Sequence, residues 1–520
     1  MKTYVSKLAL LFFGLSLVYS CKPGIVTPSN APSDFAYTLH VDSTFNTNAP
    51  ALQSFAHGTS GSEWLLFAGR TNEKDDDGGL HDMSEKSNYA NTSFPPTSYN
   101  ENIYVYDPII DAVPTSINIS EMLEIVSRKF KSYNSDTINK YKTVFKNTNP
   151  LVRQVDEYLY VIGGYGAIDF EKPKNGYITY DHVAKIHVPS MIQLVKGNYA
   201  GVKESKLFAF AQNKNLVSTG GELHNINGTF YLITGHNFGK TAANGQKYVD
   251  AVYPFSIKPK VVGRDTIKHT FSFSNSTPIS DVSDPNGASS DNTSIFRRRD
   301  GPITPSLYYN TLEKSIEESI AIYAGVFKPG EDLEAWNDAI YVHPNWAGEN
   351  NKLYTYDKNY NQKNYNVYAS PFVVAYDSSE KIVHTFLLGG IGDGNTSKEV
   401  RLSGFTNTGT HIKLNVDSSP LQSTRTVFSN NLFGNSEVNS PPFYGAEAIF
   451  FASKGFKSTK VSKEIIDISS TFNGEVKSVE VGYIFGGIEA FKSHPGTYGK
   501  TNSRASNKVW KVTLTKQSMN

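Results

Sequence analysis

Gly482-Tyr-Ile-Phe-Gly-Gly-Ile-Glu489 decides the reading of this chain: an apolar run closes on a pair of small residues, and versions of it recur. The others are Leu65-Leu-Phe-Ala-Gly69, Leu159-Tyr-Val-Ile-Gly-Gly164, Tyr231-Leu-Ile-Thr-Gly235, Ala321-Ile-Tyr-Ala-Gly325 and Phe386-Leu-Leu-Gly-Gly390. Counted between final glycines, the intervals are 95, 71, 90, 65 and 97 residues. Each run is short, rich in β-branched and aromatic residues and stopped by glycine, which reads as a buried strand. A strand repeated at such intervals means a repeated supersecondary unit.

The flanks complete the unit. Upstream, Ala51–His57 is read as a strand before a turn at Gly58–Glu63; Leu223–Ile226 precedes the hairpin dipeptide Asn227-Gly228, and Phe372–Asp377 precedes Ser378–Lys381. Downstream comes a strand with a polar start, as in Asn102–Asp107, Asn337–Val342 and Asn507–Val512. The expected fold class is all-β: one domain from residue 35 to 520, with six like-patterned hairpins arranged as blades about an axis. Radial repetition lets 520 residues exceed the usual size of a single core. Seven blades stay open if Ala446–Ala452 begins a blade of its own rather than serving the last as its inner strand.

Hairpin, apolar strand ending Gly-Gly, then a strand carrying Tyr or Trp: this order resembles the kelch repeat over residues 35–516. The resemblance implies a six-bladed kelch-like β-propeller. A kelch repeat is about 50 residues, and the excess is assigned to inserted loops such as Glu73–Glu101 and Arg264–Asn292. Phe35–Val41 alternates like a strand and is expected beside Val509–Leu514, completing the last blade and leaving no open edge.

Ahead of the domain, Lys2 and Lys7 precede the apolar Leu8–Val18, too short for a comfortable span. Residues 1–20 read as a signal peptide. Val18-Tyr-Ser-Cys21 resembles the lipobox of bacterial lipoproteins, which implies lipidation of Cys21, the chain's only cysteine. Acyl chains contribute about 0.8 kcal/mol per buried methylene. Residues 21–34, with Pro23, Pro28 and Pro32, then form a tether. The expected location is the bacterial cell envelope, as an outer-membrane lipoprotein, periplasmic or surface-facing.

Lys+Arg total 50 against 49 Asp+Glu, with no basic stripe, so nucleic acid is not an expected partner. With Cys21 spent on lipid there is neither a disulfide nor a cysteine metal site; no metal or cofactor is expected, and the protein is read as a monomer. Asp75–Gly79 lacks the spacing of a calcium loop. Tyr and Phe number 31 each; most are core between blades, and exposed Tyr suits sugar or protein surfaces.

Polar residues just before an inner strand, or just after its glycine pair, are the candidates for a ligand site at one end of the channel. They are His57, Arg70, Glu222, His224 and His236, then Arg297, Arg298, Arg299, Asp300 and Glu447. The run Arg297–Arg299 is the densest. If extended, it puts Arg297 and Arg299 on one face near the axis, paired with Asp300 or Glu447 or free for an acidic ligand. With Arg70, His57 and His224 they would make a positive pocket suited to a uronate, a sialate or a peptide carboxylate. Ser54–His57 with Trp64–Asn72, Phe296–Asp300 and Tyr444–Ala448 resemble parts of secreted bacterial propeller proteins of unassigned activity, which implies a shared top-face site and no reaction.

Enzyme classes leave little trace. Galactose-oxidase-type chemistry needs a Tyr cross-linked to Cys, and Cys21 is in the signal segment. Sialidase boxes, a serine nucleophile elbow, a phosphate loop and HExxH are absent. The reading is an envelope-anchored binding module for glycan or protein ligands. The rival is a carbohydrate-active enzyme, an epimerase, mutarotase or lyase, acting on an acidic sugar.

Overall fold

The computed structural model describes residues 37–43, 48–71, 94–239, 245–259, 271–283, 294–329, 335–346, 351–363, 365–392, 404–434, 443–473, 476–491 and 503–517. Cys21, the signal and tether segments and Asp75–Gly79 lie outside them. The structure is mostly β, 46% strand against 12% helix, so the class is all-β.

Six sheets carry it, each an antiparallel meander in the order first, second, third, fourth strand. Sheet 1 is Ala56–Ser60, Glu63–Phe67, Asn102–Tyr106 and Thr115–Asn118. Sheet 2 is Leu151–Val155, Tyr158–Ile162, His182–His187 and Phe208–Gln212. Sheet 3 is Glu222–Ile226, Thr229–Ile233, Val252–Pro259 and Phe271–Asn275. Sheet 4 is Ile303–Asn310, Ser315–Tyr323, Ala339–Val342 and Tyr354–Asp357. Sheet 5 is Phe372–Asp377, Ile382–Ile391, Phe405–Asn415 and Ser423–Ser429, with Ile466–Asp467 added parallel to its first strand. Sheet 6 is Ile449–Ala452, Ser478–Phe485, Val509–Lys516 and, as its fourth strand, Tyr37–Ser43. The N-terminal strand pairs from Tyr37↔Lys516 to Ser43↔Trp510, where the sequence puts it.

Every marker run is a second strand, flanked on both sides and therefore apolar along its length. Each closes on two consecutive residues of positive φ: Ala68-Gly69, Gly163-Gly164, Thr234-Gly235, Ala324-Gly325, Gly389-Gly390 and Gly486-Gly487. In five of the six the pair turns the backbone so that an N–H meets the segment leading into the next sheet. Gly69 donates to the Asn147 carbonyl, Gly164 to Ser218, Gly235 to Arg298, Gly325 to Val367, and Gly487, in sheet 6, back to Leu52 ahead of sheet 1. The approach leaves no room for a side chain: a Cβ on Gly163 would lie 1.9 Å from the Ser218 carbonyl oxygen.

Three details differ from the sequence reading. The first strand of sheet 1 is Ala56–Ser60, turning at Gly61-Ser62, not Ala51–His57 with a turn at Gly58; its Ala-His-Gly-Thr-Ser composition hides it. The segment assigned to a loop at Arg264–Asn292 contains the fourth strand of sheet 3, Phe271–Asn275. Helices also insert beside sheets 1 and 2, chiefly α1, Ile119–Lys129, and α2, Val188–Val195. In α1 the Asn118 side chain caps the Ser120 N–H, and Ile119, Met122, Leu123 and Val126 are buried at helical spacing in the core between the two sheets.

Ala446–Ala452 is divided: Ala446 ends the strand Phe443–Ala446 of a small three-stranded sheet, and Ile449–Ala452 pairs with Ser478–Phe485 as the first strand of sheet 6.

Candidate functional site

The residue just ahead of each first strand has the same unusual backbone state. Ser54, Asn149, Gly220, Asp300, Ala369 and Glu447 all have positive φ, from 33° to 63°. Backbone bonds link neighbours: the Asn149 N–H donates to the Ser54 carbonyl (3.1 Å), Asp300 to Gly220 (2.8 Å), Ala369 to Asp300 (2.6 Å) and Glu447 to Ala369 (2.9 Å). The Thr219 hydroxyl donates to the Asn149 carbonyl at 2.9 Å. Left-handed φ costs a non-glycine residue on the order of 1 kcal/mol. Gly220 and Ala369 adopt it with no functional side chain, so the backbone state serves the fold, and the polar side chains at the other four positions are what the fold displays.

All six residues line one cavity of about 370 Å³, whose walls come from the first strands of all six sheets. His57, Glu222, His224, Arg153 and Glu464 line it further along, with Phe55, Phe372, Phe450, Phe451 and Phe456 as aromatic walls. The volume falls within the range of small-molecule sites, about 300–1,000 Å³.

Glu447 is the most engaged ring side chain. Its Oε2 accepts from the Ser54 hydroxyl at 2.9 Å and the Asn149 amide at 3.3 Å. Ser54 also contacts the Gln53 amide. With that amide turned so its oxygen faces Arg70, the oxygen accepts from Arg70 Nε at 2.6 Å and Nη2 at 2.9 Å. A relay therefore runs from Arg70 through Gln53 and Ser54 to Glu447. Arg70 itself is buried, its guanidinium 4.3 Å over the Phe94 ring. Burial pushes the Glu447 carboxyl up, the charge of Asp300 adds to this, and Ser54 and Arg70 oppose it. Asp300 is likewise raised by burial, against Arg299 and the Tyr368 hydroxyl. Deeper in the cavity, burial lifts Glu222 to about 7, against the pull of Arg153.

Both cavity histidines are held neutral. Burial lowers His57 to about 4, opposed by the Phe55 backbone, and holds His224 well down, with Arg153 adding to the effect. The His57 ring packs edge-on against Phe451 at 5.2 Å, and its Nδ1 is buried without a hydrogen-bond partner. Arg153 is claimed by Glu464 in a two-point ion pair (2.6 Å for one bond), and Lys463 by Asp156 at 2.8 Å.

The arginine run does not behave as a strand. It lies in the turn before Ile303–Asn310, so the three side chains diverge. Arg297 donates to the Phe327 carbonyl and lies 4.0 Å over Tyr248. Arg298 is 1% exposed; it donates to the Ile295 and Ala324 carbonyls, pairs with Asp338 at 2.8 Å and stacks on Trp336. Arg299 stands 3.4 Å from both Asp300 Oδ2 and His236 Nε2. None of the three lines the cavity. The expected positive pocket with Arg297 and Arg299 on one axial face is therefore corrected: the cavity gathers Glu222, Asp300 and Glu447 with neutral His57 and His224.

Of the sequence candidates, His57, Glu222, His224, Asp300 and Glu447 line the cavity; Arg70, Arg299 and His236 stand behind the ring, and Arg297 lies apart. The sequence reading misses Ser54, Asn149 and Gln53. Their signal was positional: Ser54 and Asn149 sit two residues before a first strand, as Glu447 does, and Gln53 three, as Asp300 does. Among the described residues no group of three His, Cys, Asp or Glu is placed to hold a metal ion. No protein-family model and no curated protein matches the chain.

Proposed function

We propose that the six sheets are blades of a kelch-like propeller and that the protein is an envelope-anchored module, lipidated at Cys21, binding a small glycan in its axial cavity. Support for the propeller comes from the six first strands sharing one cavity, the bond from sheet 6 back to sheet 1, and the N-terminal strand completing sheet 6. The observation that carries the binding reading is the ring: Ser54, Asn149, Asp300 and Glu447 present hydroxyl, amide and carboxyl groups to one cavity, with phenylalanine walls beyond. Donors, acceptors and aromatic faces together suit a pyranose, whose hydroxyls need both and whose C–H faces stack on rings. Because the cavity's own acids have no surplus of cations facing them, the ligand is a neutral or basic sugar rather than an acidic one.

Binding of a glycan array by the full-length chain in detergent, followed by calorimetry on the hits, tests this. Weaker binding in Asn149→Ala and Glu447→Gln is expected; hits that bind both variants as well as wild type would refute the site.

A second reading, an enzyme such as an epimerase or lyase, draws on one observation: burial pushes the cavity acid Glu447 up to about 7, beside Asp300, which burial also raises, as acid–base catalysis requires. Incubating the same hits with the protein and following them by NMR separates the two, since turnover belongs to the enzyme alone.

A further inference from the structure

We propose that the part of the ligand seated between Asp300 and Glu447 carries a basic nitrogen, as in a 2-amino sugar. The inference rests on the axial cavity being the glycan site. Among the titratable groups lining that cavity, Arg153 is held by Glu464 in a two-point pair, and Lys463 meets Asp156 in a pair that is largely exposed to solvent. His57 and His224 are uncharged there at neutral pH. Arg299 reaches Asp300 from behind, at 3.4 Å, and Arg70 reaches Glu447 only through Gln53 and Ser54. Two ring acids, one alanine apart, thus face the cavity, and neither is ion-paired with Arg153 or Lys463, the two cations that line it. Each disfavours ionisation of the other, and both are enclosed.

An ammonium entering there would favour the ionised form of both carboxylates and share charge-assisted hydrogen bonds with them. A glycan carboxylate would oppose that ionisation instead, and a neutral hydroxyl gains less because it brings no opposite charge.

The test is calorimetric titration of the full-length chain in detergent with glucosamine, glucose, N-acetylglucosamine, glucuronate and a lysyl dipeptide. Glucosamine should bind at least tenfold more tightly than glucose or N-acetylglucosamine, with glucuronate weakest. Glu447→Gln, or Asp300→Asn should the first not fold, should reduce that preference at least fivefold. If glucose or N-acetylglucosamine equals glucosamine, or glucuronate binds best, the amine inference is overturned and the glycan site stands. If only the lysyl dipeptide binds, the glycan reading falls and the amine inference survives. Failure of all five ligands overturns both. A glucosamine preference that survives both substitutions overturns the assignment to the ring.

Discussion

Arg298→Ala should unfold the protein more easily and leave the cavity's ligand preference alone. The guanidinium is 1% exposed and pairs with Asp338, whose side chain is 12% exposed. It also donates to the carbonyls of Ile295 and Ala324, at 2.7 and 2.8 Å, and covers the Trp336 ring at 4.4 Å. Removing one partner of a buried pair costs about 3–5 kcal/mol because the other charge is left behind. Asp338 keeps a bond from the Tyr356 hydroxyl at 2.7 Å, which moves the pair's share toward the lower end. The two abandoned carbonyls and the lost cation–π contact add roughly 1–2 kcal/mol. The sum is about 4 kcal/mol.

In urea, with a slope of about 3 kcal/mol/M, the midpoint should fall by roughly 1.3 M. Trp336 beside the mutated residue reports the transition by fluorescence. Asp338→Asn combined with Arg298→Met removes both charges while keeping volume, and should recover at least about 1.5 kcal/mol relative to the sum of the single changes. A midpoint shift below about 0.3 M, additivity in the cycle, or altered sugar affinity without loss of stability would each refute the structural role assigned to Arg298.

Three further outcomes follow from the same geometry, and a fourth from the lipobox reading. Glu222 has a folded pKa of about 7, above its unfolded value, so the stability it contributes is full below about pH 4.5 and is lost as pH rises through 7. Glu222→Gln should therefore gain on wild type by about 1–3 kcal/mol between pH 5 and pH 8; a pH-independent offset contradicts this. His57 runs the other way: its folded pKa of about 4 lies below the unfolded one, its stability is full above about 6.5 and lost toward 4, and His57→Gln should gain on wild type as pH falls over that window. Gly163→Ala puts a Cβ 1.9 Å from the Ser218 oxygen at φ 66°, whereas Gly61→Ala, also at φ 66°, meets nothing within 4 Å; the first should cost about 3 kcal/mol or more and the second about 1, and equal midpoints would be wrong for this reading. Cys21→Ser should move the protein from the membrane fraction to the soluble one, and palmitate labelling of the variant would end the lipidation proposal.

What the sequence made legible was whatever is buried on both faces. The second strands, flanked by neighbours and closed by a pair that must turn left-handed, carry an apolar run and a small residue, and all six were readable. The first strands are harder because one face lines a polar cavity: Ala56–Ser60 has no hydrophobic alternation to find. Nothing in the run Arg297–Arg299 itself marks the turn, and only the turn explains why one guanidinium enters the core while its neighbour meets Asp300. Helix α1 carries its own cap and spacing at Asn118, Ile119, Met122, Leu123 and Val126, a local signal that a search for the repeat passes over.

The ring escaped for a different reason. Its defining property is a φ value, which glycine advertises in sequence and Asn and Asp only weakly. Gly220 does so; Ser54, Asn149, Asp300, Ala369 and Glu447 share the conformation without a common side chain. The fold needs only the backbone turn and its bonds to the next sheet at these positions, so the side chain is free to vary. That separation gives the site a simple logic. Six positions at one end of the cavity are held by the same backbone device, two are left small, and the remaining four decide what the cavity takes. A substitution such as Ala369→Asp would add a third ring acid between Asp300 and Glu447 at little cost to the fold, and on the reading given above it should strengthen the preference for an amine over a neutral sugar.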